Sequence, residues 1–170
     1  RLVGIPAAVL DGGYAAWTAA GQPVEHGEPA PRPRSEVSLR YDATQVLFDH
    51  GAVAGGASGQ LLDARGAPRY RGDTEPLDRA AGHVPGALNR PFADNLDASG
   101  RFKPAASLRE EFTAVLGATA PSRVVHMCGS GVTACHNLLA MEHAGLHGSR
   151  LYAPSWSGWV SDPSRPVAKG

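Results

Sequence analysis

The chain of 170 residues carries 16 basic and 16 acidic side chains, so its formal net charge is zero. This balance gives no electrostatic reason to expect a nucleic acid or a membrane surface as partner. The apolar runs are also far shorter than the roughly 20 residues that a membrane span needs. The length suits one full domain and part of another.

The cysteine content bears on the cellular setting. Cys128 and Cys135 are seven positions apart, with a loop and the start of a predicted helix between them. This arrangement is poorly suited to a structural disulfide, whose two Cα atoms must lie close together. A reducing, cytoplasmic setting is therefore expected.

The first third of the chain predicts small elements joined by a linker. Residues 7–17 are expected to form a strand, a glycine turn and a short helix. Four prolines among residues 23–33 give that segment a linker composition. A strand is predicted at residues 38–40, and Asp42 is expected to cap a helix that continues to residue 48.

The middle of the chain predicts one buried strand between loops. Residues 50–59 are small and glycine-rich, which indicates a loop, and their glycines lack the G-x-G-x-x-G spacing of dinucleotide sites. Residues 60–63 have the pattern of a buried strand. Residues 69–79 are expected to form a long polar loop, and residues 82–87 a turn that leads into a short extended segment.

The last third alternates helices and strands. Residues 107–116 carry apolar side chains at helical spacing, with Ser107 and Glu110 placed as a capping box. The elements predicted after it are a strand at 124–127, a helix at 134–144, a strand at 150–152 and a helical turn at 156–159. Such alternation predicts an α/β fold with a parallel sheet.

The segment around Cys128 carries the clearest chemical signal. An apolar strand ends at Met127, and Cys128 is followed by a short loop with Gly129 and Gly131 before a helix begins. Glycines permit the backbone to turn successive N–H groups toward the thiol, and a helix N-terminus favours negative charge. Thr133 adds a hydroxyl at the helix start. We therefore predict that Cys128 reacts as a thiolate nucleophile.

Two other interpretations of this segment are less consistent with the sequence. A metal site would need the spacing of a zinc motif, which His126, Cys128, Cys135 and His136 do not have. A cysteine phosphatase needs an arginine six positions after its nucleophile, where this chain has Ala134. Cys135 is expected to be a small apolar core side chain, with a resolving role toward Cys128 as the alternative.

One internal similarity concerns domain organisation. Residues 9–17 and residues 151–159 both have apolar residues, a turn and a closing tryptophan. Each stretch is followed by a Pro-Val pair, at residues 23–24 and 166–167. This pattern predicts that the same unit ends two related domains.

Several of these motifs together resemble the two-domain rhodanese-like sulfurtransferases. The matching segments, in the family's order, are residues 63–65, 69–72, 82–87, 89–92, 128–136 and 155–159. The resemblance implies a rhodanese-like α/β fold, with a central parallel sheet of about five strands and helices on both faces. It also implies that residues 1–25 are the tail of a non-catalytic first domain, that residues 26–36 are a Pro-rich linker, and that residues 37–170 form the catalytic domain.

The resemblance implies a reaction as well. In this family the first cysteine of a six-residue loop takes a sulfane sulfur from a donor and holds it as a persulfide. That cysteine is Cys128 here, and the rest of the active-site loop is Gly129, Ser130, Gly131, Val132 and Thr133. The loop resembles the version found with 3-mercaptopyruvate as donor, whereas thiosulfate-preferring members carry two cationic residues after the cysteine.

Further expectations follow from the same resemblance. Arg69 and Arg79 fall where the family's arginines bind the donor carboxylate. No cofactor and no metal is implied. The expected acceptor is a thiol, thioredoxin or cyanide, and the first rhodanese-like domain, missing from this chain, is an expected partner. The alternatives are a thiosulfate:cyanide sulfurtransferase with the same cysteine, and a persulfide carrier or binding module that does not turn over.

Overall fold

A computed structural model describes residues 3–170 of the chain. Five strands of this part form one parallel sheet: β1 (Val46–Leu47), β2 (Gln60–Asp63), β3 (Leu88–Asn89), β4 (Val124–Met127) and β5 (Arg150–Tyr152). Their order across the sheet is β1-β5-β4-β2-β3, and every neighbouring pair is parallel. The α/β fold class predicted from the sequence is confirmed.

Helices cover both faces of the sheet. Those that do so are α2 (His50–Val53), α4 (Ala105–Leu116), α5 (Val132–His143) and α6 (Ser155–Val160), while the short helices α1 (Gly13–Ala19) and α3 (Ala67–Arg71) bury no residue. One core packs side chains of α4 and α5 against the sheet, and a second core packs α2 and α6 against the opposite face. Within the described chain, no helix is long and apolar enough to cross a membrane.

The central strand β4 is buried along its whole length because it contributes to both cores. Val124 packs with α4 and α5, while Val125 and Met127 pack with α2 and α6 on the other side. Successive side chains of a strand point to opposite faces, so a strand that is covered on both faces is buried at every position. This placement brings Cys128 to the carboxyl end of the sheet's central strand.

Two predicted strands near the N-terminus are wrong. Residues 7–10 and residues 38–40 are exposed and have no strand structure. An isolated extended segment gains little unless a neighbouring strand supplies ladder hydrogen bonds, and neither segment pairs with the sheet. The helix predicted after the glycine turn is present as α1.

The segment from Asp42 to Gly59 also differs from expectation. Asp42 does cap a helical turn, accepting a hydrogen bond from Thr44 N at 3.0 Å, but the turn is a short 3₁₀ helix, Ala43–Gln45. The chain then enters β1, because parallel pairing with β5 outweighs local helix propensity. The expected loop at 50–59 contains α2, which buries Val53 against the core.

The start of α4 is placed earlier than the capping box predicted. The helix begins at Ala105, with Pro104 in the N-cap position, and Ser107 lies inside the first turn. Proline suits the start of a helix because its missing N–H would have no intrahelical partner there. The apolar face is as predicted, since Leu108, Phe112 and Leu116 are buried.

A histidine lies inside the sheet without polar partners. His126 in β4 is fully buried between its cross-strand neighbours Leu62 and Leu151. Neither ring nitrogen has a hydrogen-bond partner among the described residues. Burial disfavours the charged imidazolium and lowers the pKa of His126 to about 3. The side chain is therefore neutral in the folded protein at neutral pH.

This burial predicts an acid-sensitive fold. The unfolded chain takes up a proton at His126 below pH 6.5, whereas the folded chain does so only near pH 3. The free energy of unfolding should therefore fall as pH drops through this window, by up to about 1.4 kcal/mol per pH unit. Urea denaturation between pH 4 and pH 7 measures the slope, which should be shallower in His126→Leu.

The matched control for this prediction is His26→Gln, which changes an exposed imidazole outside the sheet. This control should keep the wild-type slope. Identical slopes for the wild type and His126→Leu would contradict the prediction.

Candidate active site

Cys128 lies directly after β4, where the backbone turns toward α5. Its side chain is 2% exposed, and its Sγ accepts a hydrogen bond from the Gly131 N–H at 3.1 Å. A backbone N–H in this position can stabilise negative charge that develops on the sulfur during a reaction. The nucleophilic role of Cys128 stays a prediction.

The start of α6 holds the loop in place. The Cys128 N–H donates to Ser155 Oγ at 3.2 Å, and the Cys128 carbonyl accepts from Trp156 N at 2.9 Å. The next carbonyl, of Gly129, accepts from Ser157 N at 2.9 Å. Among the described residues, Ser155 is the one non-glycine with a positive φ, 51°. That conformation lets its hydroxyl face the loop while its own O–H donates to Tyr152 O.

Position 131 requires a residue that has no side chain. Its φ is 88°, in the left-handed region that other residues rarely adopt. A Cβ at this position would stand 3.0 Å from the carbonyl oxygen of Ala153. The glycine thus allows the Gly131 N–H to reach the sulfur while the loop packs against the segment after β5.

Arg69 reaches over the same loop from α3. Its two terminal guanidinium nitrogens lie 3.5 and 3.7 Å from the point where a Cβ on Gly129 would stand. A Cβ on Gly129 would therefore stand in ordinary van der Waals contact with the guanidinium. This position brings a cation close to the loop that carries Cys128, and a role for Arg69 in binding the donor carboxylate stays a prediction.

Two carboxylates hold Arg69. Its Nη2 donates to Glu75 Oε1 at 2.6 Å and its Nε to Glu75 Oε2 at 3.1 Å, a bidentate pair. Asp78 Oδ2 lies 3.4 Å from the same Nη2. Burial opposes ionisation of Glu75, but hydrogen bonds from Arg69 and from the backbone of Leu77 and Asp78 outweigh it and lower the pKa of this carboxyl.

Behind this group lies the buried Arg65. Its guanidinium pairs with Asp63, donating from Nη2 at 2.7 Å, and also donates to Glu75 Oε2 at 3.3 Å. A third bond goes to the carbonyl of Gly82 at 2.7 Å. The guanidinium also lies over the ring of Trp156, 4.5 Å from its centroid. Arg65 therefore links β2, the loop after α3, and α6.

These elements enclose a small pocket of about 200 Å³ above the thiol. The described residues that line it are Arg69, Leu77, Asp78, Cys128, Gly129, Ser130, Val132, Thr133 and Ser157. Six of the predicted site residues are thus brought together, and Gly131 supplies the N–H beneath them. Leu77 and Val132 are largely exposed, so two apolar side chains flank the opening.

Arg79 is placed differently from Arg69. It is exposed and is not part of the pocket lining. Hydrogen bonds with Ser164 are the main cause of the lowered pKa of Asp162, and the positive charge of Arg79 contributes to the same shift. A role for Arg79 in binding the donor stays a prediction.

Several residues of the site were not singled out by the sequence. Leu77, Asp78 and Ser157 line the pocket, and Glu75 binds Arg69 beside it. The sequence signal for Glu75 and Asp78 was their spacing of six and nine residues after Arg69 in a polar loop. Ser157 had no such signal, because its position depends on the packing of α6 against the loop.

Cys135 is not a core residue, contrary to expectation. It is exposed on the first turn of α5, and its Sγ donates to the Gly131 carbonyl at 3.4 Å. Partial burial and the nearby Cys128 raise the pKa of its thiol. Both cysteines are free. Among the described residues, no group of three or more His, Cys, Asp or Glu side chains is arranged to hold a metal ion.

Comparison with known families gives a direct match. The rhodanese-like domain matches residues 47–162, which include the whole sheet except the first residue of β1. The chain belongs to the rhodanese-like domain family. The resemblance inferred from the Cys128 loop and its companion motifs is therefore confirmed.

Two curated relatives extend this match. The chain is 48% identical over 167 residues to a probable 3-mercaptopyruvate sulfurtransferase of Pseudomonas aeruginosa, covering 95% of this chain and 57% of the relative. It is 40% identical over 164 residues to a putative thiosulfate sulfurtransferase of Mycobacterium tuberculosis, with the same two coverages. The chain thus spans a little over half the length of these relatives.

A solved structure agrees with the fold. The 3-mercaptopyruvate sulfurtransferase of Leishmania major superposes with a TM-score of 0.78 at 31% identity. The superposition covers 95% of this chain and 46% of the other. The rhodanese-like fold implied by the motif resemblance is therefore shared with a solved relative.

The loop geometry predicts the effect of a Cβ at Gly131. Gly131→Ala should lower the free energy of unfolding by about 2 kcal/mol or more, because it adds a contact with Ala153 to an unfavourable φ. Gly86→Ala is the matched control, since φ there is 82° but no atom lies within 4 Å of the added Cβ. Its loss should be about 1 kcal/mol.

Urea denaturation of the two variants measures this difference. The rate at which iodoacetamide alkylates Cys128 should fall in Gly131→Ala and remain at the wild-type value in Gly86→Ala. Equal stability losses together with equal alkylation rates would contradict the prediction.

Proposed function

We propose that this protein is a sulfurtransferase that moves a sulfane sulfur from 3-mercaptopyruvate to a thiol, thioredoxin or cyanide acceptor. The observation that supports this most is the Cys128 sulfur at the base of a small pocket, with a backbone N–H directed at it and Arg69 above. The name of the Pseudomonas relative points to the same donor, and the name of the mycobacterial relative points to sulfur transfer from thiosulfate.

The proposed first half-reaction is nucleophilic attack on sulfur. The Cys128 thiolate attacks the sulfur of 3-mercaptopyruvate, an S–S bond forms, and the carbon–sulfur bond breaks. The electrons of the broken bond remain on carbon, so pyruvate leaves as its enolate and takes a proton. Arg69 would bind the donor carboxylate, with Arg79 as a second predicted contact. The loop N–H groups would stabilise the anionic sulfur that remains on Cys128.

The second half-reaction returns the cysteine to its starting state. An acceptor thiolate or cyanide attacks the outer sulfur of the Cys128 persulfide, and the thiolate of Cys128 leaves. Two displacements through a covalent intermediate predict ping-pong kinetics. No cofactor is needed for either step. Ser130, exposed at the pocket wall, would be placed to hydrogen-bond the donor ketone.

The donor assignment follows from the loop's composition. Gly129 and Ser130 bring no cation to the pocket, so the second charge of thiosulfate would have little to balance it. A thiosulfate:cyanide sulfurtransferase with the same cysteine is the second candidate, favoured by the similarity to the mycobacterial relative. A persulfide carrier that turns over only with a partner protein is the third.

The proposal includes the domain organisation. Trp17 Nε1 donates to the Pro23 carbonyl at 2.9 Å, and Trp159 Nε1 donates to the Pro166 carbonyl at 2.9 Å. The shared bond supports the interpretation that residues 1–25 end a domain related to the one formed by residues 37–170. Residues 26–36 are then the linker, and the remainder of the first domain is the proposed partner. A cytoplasmic location stays a prediction from the cysteine content.

Turnover with two donors tests the proposal. The wild type should consume 3-mercaptopyruvate with a higher kcat/KM than thiosulfate, and Cys128→Ser should reduce both to background because no persulfide can form. Cys135→Ser, which alters an exposed thiol outside the pocket, is the control and should retain activity. A preference for thiosulfate would favour the second candidate. Activity that survives Cys128→Ser would overturn the proposed nucleophile.

A further inference from the structure

We propose that Glu75 and Asp78 set the charge of the pocket and thereby select singly charged sulfur donors over doubly charged ones. The inference rests on the proposed function and adds a specificity role for two residues outside the Cys128 loop. It follows from the way in which the carboxylates surround Arg69.

The pocket has one cationic side chain, and two carboxylates lie against it. Of its nine lining residues, Arg69 is the one that carries a positive charge. Glu75 and Asp78 both lie within salt-bridge distance of its Nη2, at 2.6 and 3.4 Å. The three side chains together have a formal charge of −1, before the thiolate of Cys128 is counted.

The side chains of both carboxylates are largely shielded from solvent. The side chain of Glu75 is 3% exposed and that of Asp78 is 12% exposed, so their charges act in a region that water screens poorly. Hydrogen bonds keep Glu75 ionised, as described above. Arg65, the other cation that Glu75 contacts, is already paired with Asp63 and is buried behind the pocket.

Glu75 also shapes the wall on which the donor would bind. Glu75 binds two arginines, and its Oε1 also accepts hydrogen bonds from the backbone N–H groups of Leu77 at 3.1 Å and Asp78 at 3.2 Å. Three lining residues, Arg69, Leu77 and Asp78, are therefore positioned by a carboxylate that does not itself line the pocket. Asp78 lines the pocket directly, so its charge faces the donor.

The consequence for donor choice is electrostatic. A donor with one carboxylate can share the Arg69 guanidinium with the two acidic side chains. A dianion brings a second negative charge into a pocket that already has an excess of negative charge, and the penalty grows in a poorly solvated site. Removing one carboxylate should therefore favour a dianion more than a monoanion.

The experiment compares how fast each donor loads Cys128. Intact-mass spectrometry follows the gain of one sulfur atom in the wild type, Glu75→Gln and Asp78→Asn, with thiosulfate and with 3-mercaptopyruvate. The ratio of the thiosulfate rate to the 3-mercaptopyruvate rate should rise about tenfold in each variant. The rise should shrink as salt is added.

Asp73→Asn is the matched control. Asp73 belongs to the same loop and also pairs with an arginine, Arg71 at 2.6 Å, but both side chains of this pair are about half exposed and lie outside the pocket. The control removes the same charge and should leave the donor ratio unchanged. A rise of equal size in this control would show that the net charge of the protein, and not the pocket, governs donor choice, and it would overturn the inference.

The remaining outcomes separate the two proposals. If the wild type loads sulfur but Glu75→Gln and Asp78→Asn change both donor rates by the same factor, the specificity role is wrong and the sulfurtransferase proposal stands. If the wild type loads sulfur from neither donor, the proposed function is wrong. Should Glu75→Gln fail to fold, Asp78→Asn decides alone, because its side chain contacts Arg69 without joining the buried Arg65 group.

Discussion

The arrangement of the candidate site depends on the contacts that the buried guanidinium of Arg65 makes. It contacts Asp63 at the end of β2, Glu75 in the loop after α3, and Trp156 in α6. Helix α6 is distant in sequence from the other two elements, and both α6 and the loop contribute residues to the pocket lining. A charge buried so completely is tolerated because its donors are matched by acceptors, and removing one partner of such a pair generally destabilises by about 3–5 kcal/mol. The same residue thus couples the stability of the domain to the shape of its pocket.

The parallel sheet explains why the parts of the site can meet at all. In an all-parallel sheet the carboxyl ends of the strands lie at one edge, and ligands bind in the crevice outside that edge. The Cys128 loop follows β4, while Arg65 and Arg69 follow β2. Ser155 and Ser157 follow β5, the neighbour of β4 on its other side. The segments after three adjacent strands therefore supply the predicted nucleophile, the cation and the backbone donors that fix the loop.

The sequence was most informative where local pattern and tertiary role agree. The strands at 60–63, 124–127 and 150–152 were predicted with their observed bounds, since their apolar runs suit a sheet covered on both faces. Cys128 and its loop were identified because glycines, a strand and a helix start carry a local signature. The pairing that converts residues 46–47 into β1 is a long-range contact, which no local pattern records. Glu75 has no local signature for the same reason, because its importance lies in the contacts that it makes with Arg65 and Arg69.

The depth of the thiol sets a geometric condition on any acceptor. Cys128 is 2% exposed, and the space above it has room for a donor of only a few heavy atoms. In the proposed reaction a persulfide would extend this side chain by one S–S bond length, about 2 Å, into the pocket that Leu77 and Val132 flank. Under that proposal, loading the cysteine would place the transferable sulfur nearer to an acceptor than the buried thiol itself ever stands.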